Sequence, residues 1–194
     1  MSEFFDVFKL PVYITKLNVD NDKLKKFCYQ LRKKEKKVDY GSNVGGYHSP
    51  NIVKHFSVLS DLIIEAERHA NIYIQNLDCS KSLKATNIWC NINGYKDSNI
   101  PHLHPKAFVS CVYYVQVPKN SGNIYFEHPA QNWMGEWTDG NVWKNFNNAN
   151  SAEWTMISET SQLLLFPGWL RHGVNPHLNK KEDRICFSMN FVVN

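Results

Sequence analysis

The chain of 194 residues is long enough to bury one core, and its 43% hydrophobic and 21% charged content excludes a disordered or low-complexity segment. No stretch nears the ~20 apolar residues that cross a bilayer, so a membrane partner is not expected. A net charge of +4, scattered along the chain, is too weak to argue for nucleic acid as a partner.

The first residues, Met1 to Val7, carry Glu3 and Asp6 and no apolar run, so no signal peptide is expected. Pro11 to Ile14 reads as a short strand. Asp20 or Asn21 then caps a helix whose apolar positions Leu24, Phe27, Cys28 and Leu31 share one face. The basic run Arg32 to Lys37 reads as its solvated C-terminus, favoured there by the helix dipole. Gly41 to Pro50 is rich in breakers and forms a loop. Leu59, Leu62, Ile63, Ala66, Ala70, Tyr73, Ile74 and Leu77 make the apolar stripe of a longer helix.

From about Thr86 the apolar period becomes strand-like. Five strands are expected: Asn87 to Ile92, Phe108 to Val117, Gly122 to Phe126, Ser161 to Phe166 and Arg184 to Val193. Short strands after a helical front half predict a β-barrel or sandwich buttressed by helices. One domain is expected over 1–194, with 1–85 as helical support and 86–194 as the barrel core. The segment 127–157 breaks the rhythm with Trp133, Trp137, Trp143 and Trp154, and reads as a lid over the barrel mouth or a homo-oligomer contact. The five cysteines are odd in number and lack CxxC spacing, so they read as reduced thiols in a cytoplasmic chain.

The chemistry concentrates in His102-Leu103-His104, answered downstream by His172 and Arg184. Histidines at i and i+2 share one face of a strand, and a third can close the face of a metal's coordination sphere. Imidazole suits first-row transition metals, iron among them, and three ligands leave positions open for substrate and oxygen. Arg184 would supply a fixed cation that grips a carboxylate through two parallel hydrogen bonds. His55, His69 and His177 have no such partners and read as ordinary surface or core histidines.

In order, the chain reads His102-Leu103-His104, Cys111-Val112-Tyr113-Tyr114-Val115, Ser121-Gly122-Asn123-Ile124-Tyr125-Phe126, Leu163-Leu164-Leu165-Phe166-Pro167, His172-Gly173-Val174-Asn175-Pro176 and Arg184. From about Trp89 onward this ordered set resembles the 2-oxoglutarate- and Fe(II)-dependent oxygenases, within them the prolyl-hydroxylase-like group. Gly45 to Ser49 and Phe166 to His172 are similar to a subfamily of unassigned substrate. The resemblance implies a double-stranded β-helix, a cupin-like jelly-roll barrel, with Fe(II) and 2-oxoglutarate at its mouth. His102 and His172 would be iron ligands, Arg184 would bind the far carboxylate of 2-oxoglutarate, and Tyr114 would join it there or simply pack as a strand aromatic. The implied reaction consumes O2 and 2-oxoglutarate, releases succinate and CO2, and hydroxylates an unidentified substrate, a protein side chain or a small molecule, without catalytic residues beyond the metal centre.

One departure stands out, because His104 occupies the family's ligand-carboxylate position. Either three imidazoles bind the iron, or His104 is an outer donor, or an acid such as Glu127 moves in; the first is expected, since His104 is itself a competent ligand. Two other readings remain. One is a three-histidine metalloenzyme that dispenses with 2-oxoglutarate, such as a thiol dioxygenase. The other is a barrel that lost its chemistry and acts as a binding protein.

Overall fold

In the computed structural model, which describes residues 2, 3, 5, 7–38 and 41–194, two antiparallel sheets face each other and two helices cover one of them. The larger sheet has the order β1-β9-β6-β11-β4-β3, formed by Tyr13–Lys16, Gln162–Pro167, Val109–Gln116, Arg184–Val193, Leu83–Asn93 and Tyr47–His48. The smaller has the order β2-β5-β10-β7-β8, formed by Asn43–Val44, Ser98–His102, His172–Val174, Ile124–Glu127 and Glu153–Met156. This is the expected jelly roll with helical support.

The helices are α1, Asn21–Lys34, and α2, Phe56–Gln75. Helix α1 begins at Asp20, whose carboxylate accepts the backbone N–H of Lys23 at 2.9 Å. It ends at Lys34, with Arg32, Lys33 and Lys34 in its last turn, where the dipole favours cations. Their buried stripes, Leu24, Cys28 and Leu31 on one and Leu59, Leu62 and Ala66 on the other, belong to one core with the outer face of the large sheet. No helix of the described residues is long and apolar enough to cross a membrane.

Strand alternation divides the large sheet. On β11, Ile185, Phe187, Met189 and Phe191 belong to the core shared with the helices, while Arg184, Cys186, Ser188 and Asn190 line a cavity between the sheets. On β4, Ile88, Cys90 and Ile92 make the same outward choice, and Asn87, Trp89 and Asn91 face the cavity. Each fully buried Phe or Ile on the helix side contributes about 1.5–3 kcal/mol. That apolar side holds the sheet in place and leaves the inner face available for polar groups.

The five expected strands are present with shifted ends, and the first strand lies at Tyr13–Lys16 rather than Pro11 to Ile14. Five further strands, β2, β3, β5, β8 and β10, escaped sequence reasoning. They are short, and β5 reads Ser-Asn-Ile-Pro-His, so no apolar alternation marks it. Four of them build the smaller sheet, which is thus the half of the barrel the sequence hides.

Candidate metal centre

Strand β5 ends at His102 and β10 begins at His172, and these two residues sit opposite each other in the antiparallel ladder. His104 lies two residues past the end of β5 rather than within a strand, as the i, i+2 spacing had implied. Its backbone N–H donates to the Gly168 carbonyl at 2.8 Å, which ties the segment to the turn after β9. Leu103 between them is part-exposed at the rim of the same cavity.

The three rings converge. Centroids are 4.5 Å apart for His102 and His172, 5.1 Å for His102 and His104, and 5.2 Å for His104 and His172. One ring nitrogen from each lies within 4.8 Å of the others. His102 Nδ1–H donates to the Ile100 carbonyl at 2.9 Å, and His172 Nδ1–H to the Leu170 carbonyl at 2.8 Å. A carbonyl can only accept, so the proton sits on Nδ1 and each Nε2 keeps a lone pair for a metal. Burial pushes the His172 imidazolium down to about 3 and that of His104 to about 4, and their neighbouring histidines add to this. At neutral pH the rings are therefore uncharged, as ligation requires, and three neutral imidazoles suit a first-row divalent metal such as Fe(II).

Arg184 opens β11 and is 2% exposed. Its Nε and Nη1 have no hydrogen-bond partner, and Nη2 reaches only Cys186 Sγ at 3.7 Å. The guanidinium lies 5.5 Å from the ring centroid of Tyr114, whose hydroxyl is likewise buried without a partner. Burial pushes the Tyr114 phenol up to about 12, so it remains a donor. Ser158 stands beside it with its own hydroxyl unpartnered. A buried cation without an anion costs several kcal/mol, and a carboxylate placed there would meet donors from Arg184 and Tyr114 together. This orphaned pair is the feature that fits a dicarboxylate.

A cavity of about 370 Å³ joins the two parts, lined by the three histidines, Arg184 and Tyr114. Sequence reasoning missed His48, Trp89 and Asn91 on the same wall. The signal was present in β4, where Asn87, Asn91 and Asn93 alternate with Ile88, Cys90 and Ile92, a polar face too regular for an ordinary half-buried strand. Asn91 donates to Ser188 Oγ at 3.4 Å, and its Oδ1 is buried without a partner.

Glu127 takes no part in the cavity lining. It is ion-paired with Arg171 and accepts from Gln131 at 2.9 Å, while its neighbour Phe126 takes the inward position against His172. The three solitary histidines lie elsewhere: His69 is bonded to Tyr13 at 2.8 Å, His177 donates to the Glu182 carbonyl at 2.8 Å, and His55 packs on Phe27. The tryptophan-rich segment forms two 3-10 turns, 131–133 and 135–138, and strand β8, and none of its residues lines the cavity.

A family profile described as "Putative 2OG-Fe(II) oxygenase" matches residues 87–190, from the inner-face Asn87 of β4 to the inner-face Asn190 of β11. No curated protein sequence matches the chain. Three solved structures illustrate the fold at low identity. SnoN, an alpha-ketoglutarate-dependent non-heme epimerase from nogalamycin biosynthesis, superposes with a TM-score of 0.69 at 11% identity, over 94% of this chain and 76% of that one. A prolyl-4-hydroxylase from Pseudomonas putida gives 0.61 at 12% identity, over 94% and 92%. HygX from Streptomyces hygroscopicus, solved with nickel and 2-oxoglutarate bound, gives 0.60 at 11% identity, over 94% and 82%. With more than half of the chain matched and the jelly roll in place, this protein belongs to the 2-oxoglutarate- and Fe(II)-dependent oxygenases, a family of oxidoreductases.

Proposed function

We propose that the enzyme hydroxylates its substrate, with Fe(II) held by His102, His104 and His172 and the far carboxylate of 2-oxoglutarate received by Arg184 and Tyr114. The observation that carries this reading is the buried, unpaired guanidinium of Arg184 opening into the same cavity as the imidazole face. Fe(II) bound with 2-oxoglutarate supplies the reduction of O2 and the oxidising power that reaches a substrate C–H, with succinate and CO2 as co-products. The chain's own work is orientation. Backbone carbonyls of Ile100 and Leu170 fix two ring planes and keep their protons on Nδ1. Arg184 offers a planar fork, Tyr114 Oη adds one donor, and Val112, Ile124 and Phe166 wall the pocket with apolar groups that limit water.

The rest of the wall bears on the prime substrate. Asn51, Asn87, Asn99, Ser188 and Asn190 offer hydrogen-bonding groups and no ionised one. Such a lining suits a substrate that presents an uncharged polar group beside the C–H to be oxidised, since a charge there would be desolvated without a counter-charge.

Titration of 2-oxoglutarate into the anaerobic Fe(II) protein tests the assignment through the weak visible charge-transfer band of the chelate. Arg184→Lys keeps the charge and loses the fork, so apparent 2-oxoglutarate affinity is expected to fall about tenfold or more, equivalent to ~1.4 kcal/mol. Unchanged affinity would remove Arg184 from the site. Succinate formation that depends on Fe(II) and O2 is the accompanying activity readout.

A further inference from the structure

Two of the three imidazoles are held by the backbone two residues earlier, His102 by Ile100 and His172 by Leu170. His104 has no such tie: among the described residues no hydrogen bond reaches its ring. The χ2 torsion of histidine is soft, so a ring without a hydrogen bond swings unless something flat stands against it. Apart from the two fellow imidazoles at 5.1 and 5.2 Å, what stands against His104 is Trp89, with centroids 5.6 Å apart and planes tilted by 55°. The indole is itself stacked on His48, at 5.6 Å and only 13°. His48 is buried on β3, and its Nδ1–H donates to the Ser49 carbonyl at 2.8 Å. An aromatic row therefore runs from the edge strand β3, across β4, to the metal face.

We propose that Trp89, backed by His48, is the positioning residue for His104 and substitutes for the hydrogen bond that the other two ligands have. The inference rests on the three-imidazole reading of the site. Trp89 touches no reacting atom in this role; it acts by holding the ring of a ligand. A leucine at position 89 would keep apolar bulk but lose the flat wall, whereas phenylalanine would keep it.

Binding of Co(II) to the metal-free protein, read by calorimetry and by the visible d–d bands that report coordination geometry, tests this without turnover. Trp89→Leu is expected to lower Co(II) affinity about tenfold, the usual scale for losing a group that orients a ligand. The d–d bands should shift, and Trp89→Phe should recover most of both. The decisive comparison is a double-mutant cycle with His104→Ala: in that background Trp89→Leu should cost almost nothing more, because there is no ring left to hold. If the two losses add in full, Trp89 acts through general packing and the positioning role is overturned. Should Trp89→Leu fail to fold, His48→Leu in the same cycle carries the test, with a smaller loss that again vanishes without His104. If His104→Ala binds Co(II) as the wild type does, the three-imidazole reading falls and this inference with it. If His104→Ala is weakened but Trp89→Leu is not, the positioning role alone falls.

Discussion

At the scale of single residues, His104 is where this chain departs from the family pattern it otherwise follows. It joins the cluster of three imidazoles from just beyond a strand end, with its backbone anchored on Gly168. Aspartate there has a shorter arm but brings a negative charge to a site whose other proposed ligands are neutral, and at short range in a poorly solvated pocket that charge is worth several kcal/mol before desolvation. His104→Asp is therefore expected to retain or raise Fe(II) affinity, while His104→Ala lowers it severely. Metal content after dialysis against a fixed chelator concentration measures both. An alanine variant equal to the wild type would leave the third protein ligand unidentified.

The same burial that keeps these rings neutral makes folding pH-dependent. In the folded protein His172 and His104 are pushed down to about 3 and about 4 from an ordinary value of 6.5. The unfolded chain thus takes up protons first as pH falls. Stability from these two groups is fully present above about 6.5 and is lost as pH drops, down to about 4 for His104 and about 3 for His172. Thermal unfolding of the metal-free protein should show its Tm declining across that window, and less so for His104→Phe. A flat profile would mean that the rings are hydrated well enough to protonate in place.

At the scale of elements, the cluster of three imidazoles depends on how the turn after β9 meets the segment before β6. Gly168 is the point of closest approach: a Cβ there would press into the backbone carbonyl of Ala107. The residue also accepts from His104 N–H and donates to the Phe108 carbonyl at 3.2 Å. Backbone cannot swing aside as a side-chain tip can, so Gly168→Ala should cost about 1–3 kcal/mol through overpacking and loosen metal binding as His104 moves away from His172. Gly140→Ala, where a Cβ would meet only the Phe146 ring at 3.8 Å, should change neither. Denaturant unfolding together with Co(II) affinity separates the two effects.

Elements also mark where the sequence was readable. The long strands of the large sheet announced themselves because they bury apolar residues on the helix side in alternation, as Ile185, Phe187, Met189 and Phe191 do on β11. That the three histidines and Arg184 would converge on one cavity was legible because such residues in that order have few structural uses. The small sheet was not, since Ser98-Asn99-Ile100-Pro101-His102 carries no period at all and is a strand only because β2 and β10 flank it. Trp89 and His48 escaped for a different reason. Nothing in a sequence says which rings will stack, and an isolated tryptophan in an apolar strand reads as core.

At the scale of the whole molecule, the division of faces explains how one thin barrel serves both stability and chemistry. The helices bury the outer face of the large sheet, so the inner face can hold Asn, Ser, His and an uncompensated Arg without loss of the fold. The tryptophan-rich excursion between β7 and β8 lies outside this arrangement, with Trp133 87% exposed and Trp137 and Trp143 packed edge to face at 4.8 Å. It leads into β8, the edge strand of the small sheet, and none of its residues lines the cavity.

With Arg184 as the proposed seat of the far carboxylate, its unpaired guanidinium would tie the lifetime of the chain to its co-substrate. A protein that holds a buried cation open for a diffusible anion is least stable when that anion is scarce, and a ligand at a hundred times its Kd adds about 2.7 kcal/mol to folding. Resistance to thermolysin should therefore rise steeply as 2-oxoglutarate is added to the metal-loaded protein. Arg184→Met, which replaces the charge with a thioether of similar reach, should resist digestion without 2-oxoglutarate at least as well as the wild type and gain nothing from its addition. A pool of this protein would thus lose its most open members first wherever the co-substrate runs low.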